Sequence, residues 1–397
     1  MTNNIGKIKK TQGLSQEDSD HQSAESGGLI VASNDDLLTE ILLRLPVSSI
    51  LRFKSVSKHW LWLLSDRSFT IRFDKFSKSP GIFAGDMYVP FDVEDRSPPP
   101  PPFSSLDFFH SDPYGIKIIQ SCNGLLLCCS DQVPDCARRY YVFNPTTKQS
   151  AIIPLVPGGL AVRQTIRFMG LAFHQTDCVH YKVICIRALK PVGQLFQIRI
   201  YSSDTRKWKI SIKSFSVRNP TFREGVYWNG AFHWVPPSLQ DYLYFKIDVQ
   251  QLQSVALPVE MTAFELHTMY IGESRGHLHL IGRTYRRSYS LHLNVYEMLS
   301  DHSGWFLKYQ LELHELVRAF PGMINPFGYT FKVVDLVRGE KDEDTFLVLA
   351  VPSGQLMTSL ITYNVVHDSS SFKEIFSSHF YEGSPTFHRY TETLTSF

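Results

Sequence analysis

His277 and His279 alternate along an apolar run, HLHLIG, so on an extended strand their imidazoles share one face. That is the spacing a two-histidine metal site uses, yet no third ligand stands nearby, and solvent-facing strand histidines, which are far commoner, are the expectation. His174, Asp177, Cys178 and His180 form a second polar cluster, in a stretch with turn character. The six cysteines (Cys122, Cys128, Cys129, Cys136, Cys178 and Cys185) fall in no C-x-x-C pair and no zinc-ligand spacing, which reads as small core residues in a reduced intracellular setting. Arginine alternates with aromatics twice, at Arg138-Arg139-Tyr140-Tyr141 and around Arg283, Tyr285, Arg286, Arg287 and Tyr289. Single-strand nucleic-acid sites use that combination, and so do exposed hairpin ends with cross-strand tyrosines. No nucleophile elbow, phosphate loop, dinucleotide fingerprint or H-E-x-x-H helix occurs. The expectation is a chain without catalytic residues, metal or cofactor.

Composition narrows the partners. The 397 residues carry a net charge of +2, which argues against a general nucleic-acid or anionic-membrane footprint. The N-terminus has Lys7, Lys9 and Lys10 followed by polar residues in place of an apolar signal, and no run approaches the roughly 20 apolar residues of a membrane span. The expected location is the cytoplasm, the nucleus or both. With 28 Phe, 18 Tyr and 6 Trp, most of the length favours strands.

The elements that must position these residues fall into four segments. Residues 1–32 lack hydrophobic periodicity and read as a disordered tail. Residues 33–75 read as a helical module. Residues 76–114 read as a connection containing the polyproline run Pro98–Pro102. Residues 115–390 read as an all-β domain.

Two units recur in that domain. One is a strand, a polar turn and a second strand, with turn residues Asn144, Ser202, Asp248, Glu297 and Asn364 at intervals of 58, 46, 49 and 67. The other is a glycine turn followed by an apolar strand, in SCNGLLLCCS, GVYWNGAFHWV and GESRGHLHLIG. Two hairpins per repeat is the content of one four-stranded propeller blade, and the length predicts about six blades, with a β-sandwich as the alternative.

In the helical module, Leu37, Leu38, Ile41, Leu42 and Leu45 recur on one stripe, Pro46 ends the helix, Ile50, Leu51 and Phe53 form a second group, and a third helix begins after Ser57 with Trp60, Leu61, Leu63 and Leu64 facing inward. Asn34 or Asp35 suits the first N-cap and Ser57 the third. A unit this small is too apolar to stand alone and needs a covering surface.

Leu37–Phe69 resembles the F-box, in its plant form, through I-L-x-R-L-P at Ile41–Pro46 and K-S-V-S-K-x-W at Lys54–Trp60. The usual opening Leu-Pro is replaced here by Ser33-Asn34. The β region resembles the plant F-box-associated domain, kelch- or propeller-like, through SCNGLLL (Ser121–Leu127) and YVFNPTTKQ (Tyr141–Gln149). The resemblance implies a non-catalytic substrate receptor of a cullin-based ubiquitin ligase, docking on a Skp-type adaptor and holding a protein target on its β domain. The adaptor-facing set it implies is Leu37, Leu38, Ile41, Leu42, Leu45, Pro46, Ile50, Leu51, Val56 and Trp60. A propeller scaffold outside any ligase, with the helices as a structural cap, and an RNA-binding protein remain the other readings.

Overall fold

Asn34 opens the first helix by accepting hydrogen bonds from the backbone N–H groups of Asp36 and Leu37 at 3.0 and 3.2 Å, and Asp35 and Asp36 occupy its positive first turn. In the computed structural model the described residues are 34–76, 81–91, 112–190, 194–217, 222, 224–234, 241–258, 267–284, 291–325, 328–354, 357–366, 372–379 and 386–396. The expected tail, the polyproline run and residues 285–290 lie outside them. The chain divides into two compact units, Met1–Phe76 and Ser77–Phe397.

The first unit contains the three expected helices, α1 (Asp35–Leu42), α2 (Val47–Phe53) and α3 (Lys58–Ser65). Pro46 precedes α2, and the Ser57 side chain accepts from Trp60 N at 3.1 Å to start α3. A fourth helix follows, α4 (Arg67–Phe76), begun by Asp66, whose carboxylate accepts from Ser68 N at 2.8 Å. Leu38, Leu42, Leu43, Val47, Ile50, Leu63, Leu64, Phe69 and Phe73 are buried.

The second unit is a ring of six antiparallel sheets. The first blade joins β1 (Gly81–Ala84) and β2 (Met87–Pro90) to the last strand, β25 (Phe387–Tyr390), in the order β2-β1-β25. Four-stranded blades follow in chain order: β3 (Ile116–Cys122) to β6 (Gln149–Ile153), with β4 (Leu125–Ser130) and β5 (Tyr140–Asn144) between them; then β7 (Ile166–His174), β8 (Cys178–Ala188), β9 (Leu195–Ser202) and β10 (Lys207–Ser216). Blade 4 is β11 (Gly225–Trp228), β12 (Ala231–Trp234), β13 (Asp241–Lys246) and β14 (Gln251–Ala256). Blade 5 is β15 (His267–Ser274), β16 (His277–Thr284), β17 (His292–Met298) and β18 (Trp305–Glu312). After a hairpin of two-residue strands, β19 (Ile324–Asn325) and β20 (Gly328–Tyr329), blade 6 is β21 (Lys332–Val337), β22 (Phe346–Pro352), β23 (Met357–Asn364) and β24 (Phe372–His379).

The inner strands β3, β7, β11, β15, β21 and β25 each touch the next and close the circle. Strands pair with their neighbours within a blade, which excludes the sandwich. Side chains weld neighbouring inner strands: Gln120 of β3 donates to the Leu171 carbonyl at 3.1 Å and accepts from Leu171 N at 2.6 Å. Between blades 3 and 4, Phe168 packs edge-on against Phe232 and Trp234.

The two sequence units are the two hairpins of a blade. SCNG, YWNG and ESRG are the first-to-second-strand turns, where Asn123-Gly124, Asn229-Gly230 and Arg275-Gly276 all adopt positive φ. The polar turns at Asn144, Ser202, Asp248 and Asn364 join third to fourth strands, whereas Glu297, expected in a turn, lies inside β17, the turn itself being 299–304. One correction concerns 76–114. The stretch read as a connection holds β1 and β2, which complete the blade with β25, so the β unit begins well before 115. Each strand is four residues long, too short for an alternating pattern to register.

Candidate functional site

In the helical unit the structure separates the ten residues singled out from the sequence. Leu38, Leu42 and Ile50 are buried in the unit's own core; Leu45, Leu51 and Trp60 are half-buried; Leu37, Ile41, Pro46 and Val56 are exposed. Leu37 and Ile41 stand four residues apart on α1, on one face. Trp60 packs edge-on against Phe53, with ring centroids 5.2 Å apart, and so belongs partly to the core.

Sequence reasoning placed Leu61 inward, and it is exposed. It passed over Trp62, which is 65% exposed, the most open of the large apolar side chains among this unit's described residues. The reason is local: Trp60 to Leu64 are all apolar, so periodicity could not say which of them face the core. The hydrogen bond between His59 Nε2 and Asp35 Oδ1, at 2.8 Å, ties the start of α3 to that of α1. Arg44 and Arg72 both hold Glu40. The unit thus has a fixed, salt-bridged frame and an uncovered set of large apolar side chains.

In the β unit, the expectation of solvent-facing strand histidines fails at His279, which is buried. His277 Nδ1 lies 2.6 Å from Glu297 Oε1, His279 Nε2 lies 3.7 Å from Glu297 Oε2, and Arg338 reaches the same oxygen at 3.1 Å. Burial alone would raise the Glu297 pKa, but His279, His277 and Arg338 hold it down to about 2. Burial lowers the His279 pKa against the pull of Glu297. Glu297 is thus held by Arg338, an ion pair that ties blade 5 to the end of β21 in blade 6, with the two histidines against the same carboxylate. His174 pairs with Asp177, while Cys178 turns inward and its thiol donates to the Ala172 carbonyl at 3.6 Å. No group of three or more His, Cys, Asp or Glu arranged to hold a metal ion occurs among the described residues.

Five of the six cysteines are buried, and Cys136 is partly so. Burial pushes the thiols of Cys129 and Cys178 up to about 11 and that of Cys185 up to about 12, the reverse of what a nucleophile needs. The first arginine-aromatic cluster is also dispersed. Tyr141 is buried with its hydroxyl donating to Asp112 at 2.7 Å, Tyr140 is half-buried, and Arg138 pairs with Asp135 at 2.7 Å. Of the second cluster Arg283 is buried, and residues 285–290 lie outside the described residues.

The family marks SCNG and NPTT are structural. Asn144 donates its side-chain amide to the carbonyls of Thr393 and Thr395 at 3.2 and 2.7 Å, and Thr146 bonds the Tyr390 hydroxyl at 2.7 Å. A Cβ at Gly124 would sit 2.3 Å from the Thr393 side chain. Both turns receive the segment that follows β25.

Comparison with known proteins agrees with this division. The F-box domain model matches residues 34–71, and a model described as "F-box protein At3g26010-like, beta-propeller" matches 101–353. The chain is 32% identical to F-box protein At5g07610 of Arabidopsis thaliana, over 92% of both chains. It is 28% identical to F-box protein At5g49610 of the same plant, over 62% of this chain and 71% of that one. With F-box/kelch-repeat protein At3g61590, also from that plant, it shares 26% identity over about half of each.

Proposed function

The chain belongs to the F-box proteins that carry a β-propeller, and from that premise we propose that it is the substrate-receptor subunit of a cullin-based ubiquitin ligase, its helical unit docking on a Skp-type adaptor and its propeller holding the target protein. The observation that carries this reading is the set of open apolar side chains on so small a unit: Leu37, Ile41, Val56, Leu61 and Trp62. Full burial of such a side chain contributes about 1.5–3 kcal/mol, and covering the half still open contributes roughly half of that, so several together suffice for a stable complex. The buried residues Leu38, Leu42 and Ile50 act through the fold of the unit, and Leu45, Leu51 and Trp60 sit between the two roles. Catalysis then belongs to other subunits. This chain contributes position, raising the effective concentration of a target lysine near the charged ubiquitin carrier, in the cytoplasm, the nucleus or both.

The test is a pull-down of the full chain with a purified Skp-type adaptor. The wild-type chain is expected to retain it, and Ile41→Asp combined with Trp62→Asp to lose it with unchanged thermal unfolding. Undiminished retention by that double variant overturns the assignment of the surface. No retention by the wild-type chain overturns the ligase reading.

A further inference from the structure

Blade 3 carries arginines that its carboxylates do not neutralise. Arg199 of β9 pairs across the ladder with Cys185 of β8, and Arg187 pairs with Gln197, so both arginines stand on one face of the sheet. That face looks toward blade 2. Trp208 Nε1 donates to the Pro154 carbonyl at 2.7 Å and Arg199 donates to that of Pro157, both in the connection leaving blade 2. The same connection holds a short helix, α5 (Gly159–Arg163), which ends in Arg163 and packs on the turn Asp135–Ala137 next to Arg138.

Among the described residues one carboxylate answers these four cations: Asp135, bonded to Arg138. Arg163, Arg187 and Arg199 have no ion pair there, and the polar partners of Arg199 are the neutral Gln197 side chain and the Pro157 carbonyl. All four side chains are partly buried, and the Nε–H groups of Arg138, Arg163 and Arg187 are buried without a hydrogen-bond partner. Burial first, and the Arg187 charge second, lower the Arg199 pKa below its ordinary value. Half-desolvated cations ordinarily come paired. Here, among the described residues, the fold holds Arg163, Arg187 and Arg199 without a carboxylate, with Arg187 and Arg199 side by side on one face.

Apolar residues border these arginines. Ile210, opposite Arg199 on β10, and Leu155 and Leu160 in the connection are each about half exposed. Arginine is enriched at protein-binding surfaces, and the open aliphatic side chains beside it add apolar area that a partner can cover. Single-stranded RNA would need open aromatic platforms, and Trp208 is half-buried with its Nε1 engaged.

We propose that the face of blade 3 turned toward blade 2, with the connection between them, is the docking site for an acidic peptide segment with an aliphatic anchor, its carboxylates or phosphates taking the guanidinium groups of Arg163, Arg187 and Arg199. The anchor seats on Leu155, Leu160 and Ile210. The inference rests on the reading of the propeller as the target-holding unit, the segment being part of the target.

The experiment is selection of a random dodecapeptide display library on the full-length chain. Enrichment of Asp and Glu flanking Leu or Ile is expected, lost in Arg187→Glu/Arg199→Glu and replaced there by basic peptides. Because that variant could misfold, Arg163→Glu/Leu160→Ser, both in the connection, is run beside it, with thermal unfolding of each. Selected peptides resynthesised with Asp, Glu or phosphoserine at the acidic positions distinguish the two sources of negative charge. Each guanidinium removed should weaken binding roughly tenfold, the scale of one charge-assisted hydrogen bond. Enrichment without acidic character, acidic enrichment that survives both variants, or salt-dependent binding of oligouridylate that depends on these arginines overturns the proposal. Failure of the adaptor pull-down with peptide selection intact would remove the ligase reading and leave this site standing.

Discussion

The hydroxyl of Tyr390 lies 2.7 Å from Thr146 Oγ1 and accepts from Thr146 N at 3.2 Å, joining residues 244 positions apart. Tyr390 is the last residue of β25, and Thr146 sits in the turn between the third and fourth strands of blade 2. Beside this bond, Asn144 holds the carbonyls of Thr393 and Thr395. A propeller made from one chain must fasten its last inner strand to its first blades, or the ring opens along an unpaired edge. The strand pairing of β25 with β1 is one fastening. The N-P-T-T turn and the N-G turn of blade 2 provide a second, which gives these two motifs a mechanical role.

Tyr390→Phe keeps the ring packed against Phe83 and Tyr88 but removes the acceptor for Thr146 N and one of the contacts of Thr146 Oγ1, which still accepts from Thr393 N. The expected cost is about 1–3 kcal/mol, as for a lost buried hydrogen bond, read as a lower midpoint in urea unfolding with unchanged slope. Asn144→Ala, which removes two bonds to the closing segment, should lower the midpoint further. A midpoint equal to wild type in both variants would exclude the closure role.

The two glycine turns respond differently to a methyl group. Gly230 has φ +73 with open space around its missing Cβ, so Gly230→Ala costs only the left-handed backbone penalty, roughly 1–2 kcal/mol. Gly124 has φ +84 and its Cβ would stand 2.3 Å from Thr393 Cγ2 and 2.8 Å from the Thr391 carbonyl oxygen. Gly124→Ala must displace the closing segment. It should destabilise clearly more than Gly230→Ala and speed amide exchange at 391–395, whereas Gly230→Ala leaves exchange there unchanged.

Legibility from the sequence followed how local the determining signal was. Asn34 and Ser57 act on backbone two or three residues away, and both caps were readable. The glycine hairpins fix their own register and carried the blade repeat. By contrast β1 and β2 are four-residue strands that make sense only beside β25, some 300 residues on, and no local pattern announces them. The apolar residues of the helical unit were readable as a set, but not their division into core and surface. That division depends on how α1 and α3 rotate against α2 and α4, and in the continuous apolar run Trp60–Leu64 every rotation buries something hydrophobic. Arg187 and Arg199 lie on different strands, and only the register of β8 with β9 brings them to one face, while Arg163 comes from the connection before blade 3.

His233 of β12 stacks flat on His302 of the β17–β18 turn, with centroids 5.2 Å apart, between Tyr244, Tyr242 and Trp228. Burial, and then the facing His302, lower the His233 pKa to about 3; burial, and then Lys246, lower that of His302 against the opposing pull of Asp301. A histidine whose folded pKa lies below its unfolded value of about 6.5 contributes stability that is complete above pH 6.5. That contribution is lost as pH falls from there toward 3, because the unfolded chain takes up the proton first. His233→Phe retains the stack and removes the titration. Between pH 6.5 and 4 the variant should lose stability less steeply than wild type, by up to about 1.4 kcal/mol per pH unit for one proton. Parallel pH profiles of the urea midpoint would exclude this assignment.

In the helical unit, core and surface can be told apart by two measurements on three variants. Leu42 is buried, Ile41 beside it is half exposed and Trp62 is mostly exposed. Leu42→Ala leaves a cavity, with an expected loss of about 2–5 kcal/mol, enough to unfold a unit of this size and to abolish adaptor binding indirectly. Ile41→Ala and Trp62→Ala remove contacts that solvent already touches, so thermal unfolding should shift little. If these side chains are the docking surface, each should still weaken adaptor binding by tenfold or more, about 1.4 kcal/mol. The informative outcome is the dissociation: a stability defect for Leu42, a binding defect without one for Ile41 and Trp62. Should Ile41→Ala and Trp62→Ala bind the adaptor like wild type while Leu42→Ala alone fails, the exposed set is not the interface, and the half-buried residues Leu45, Leu51 and Trp60 become the ones to test.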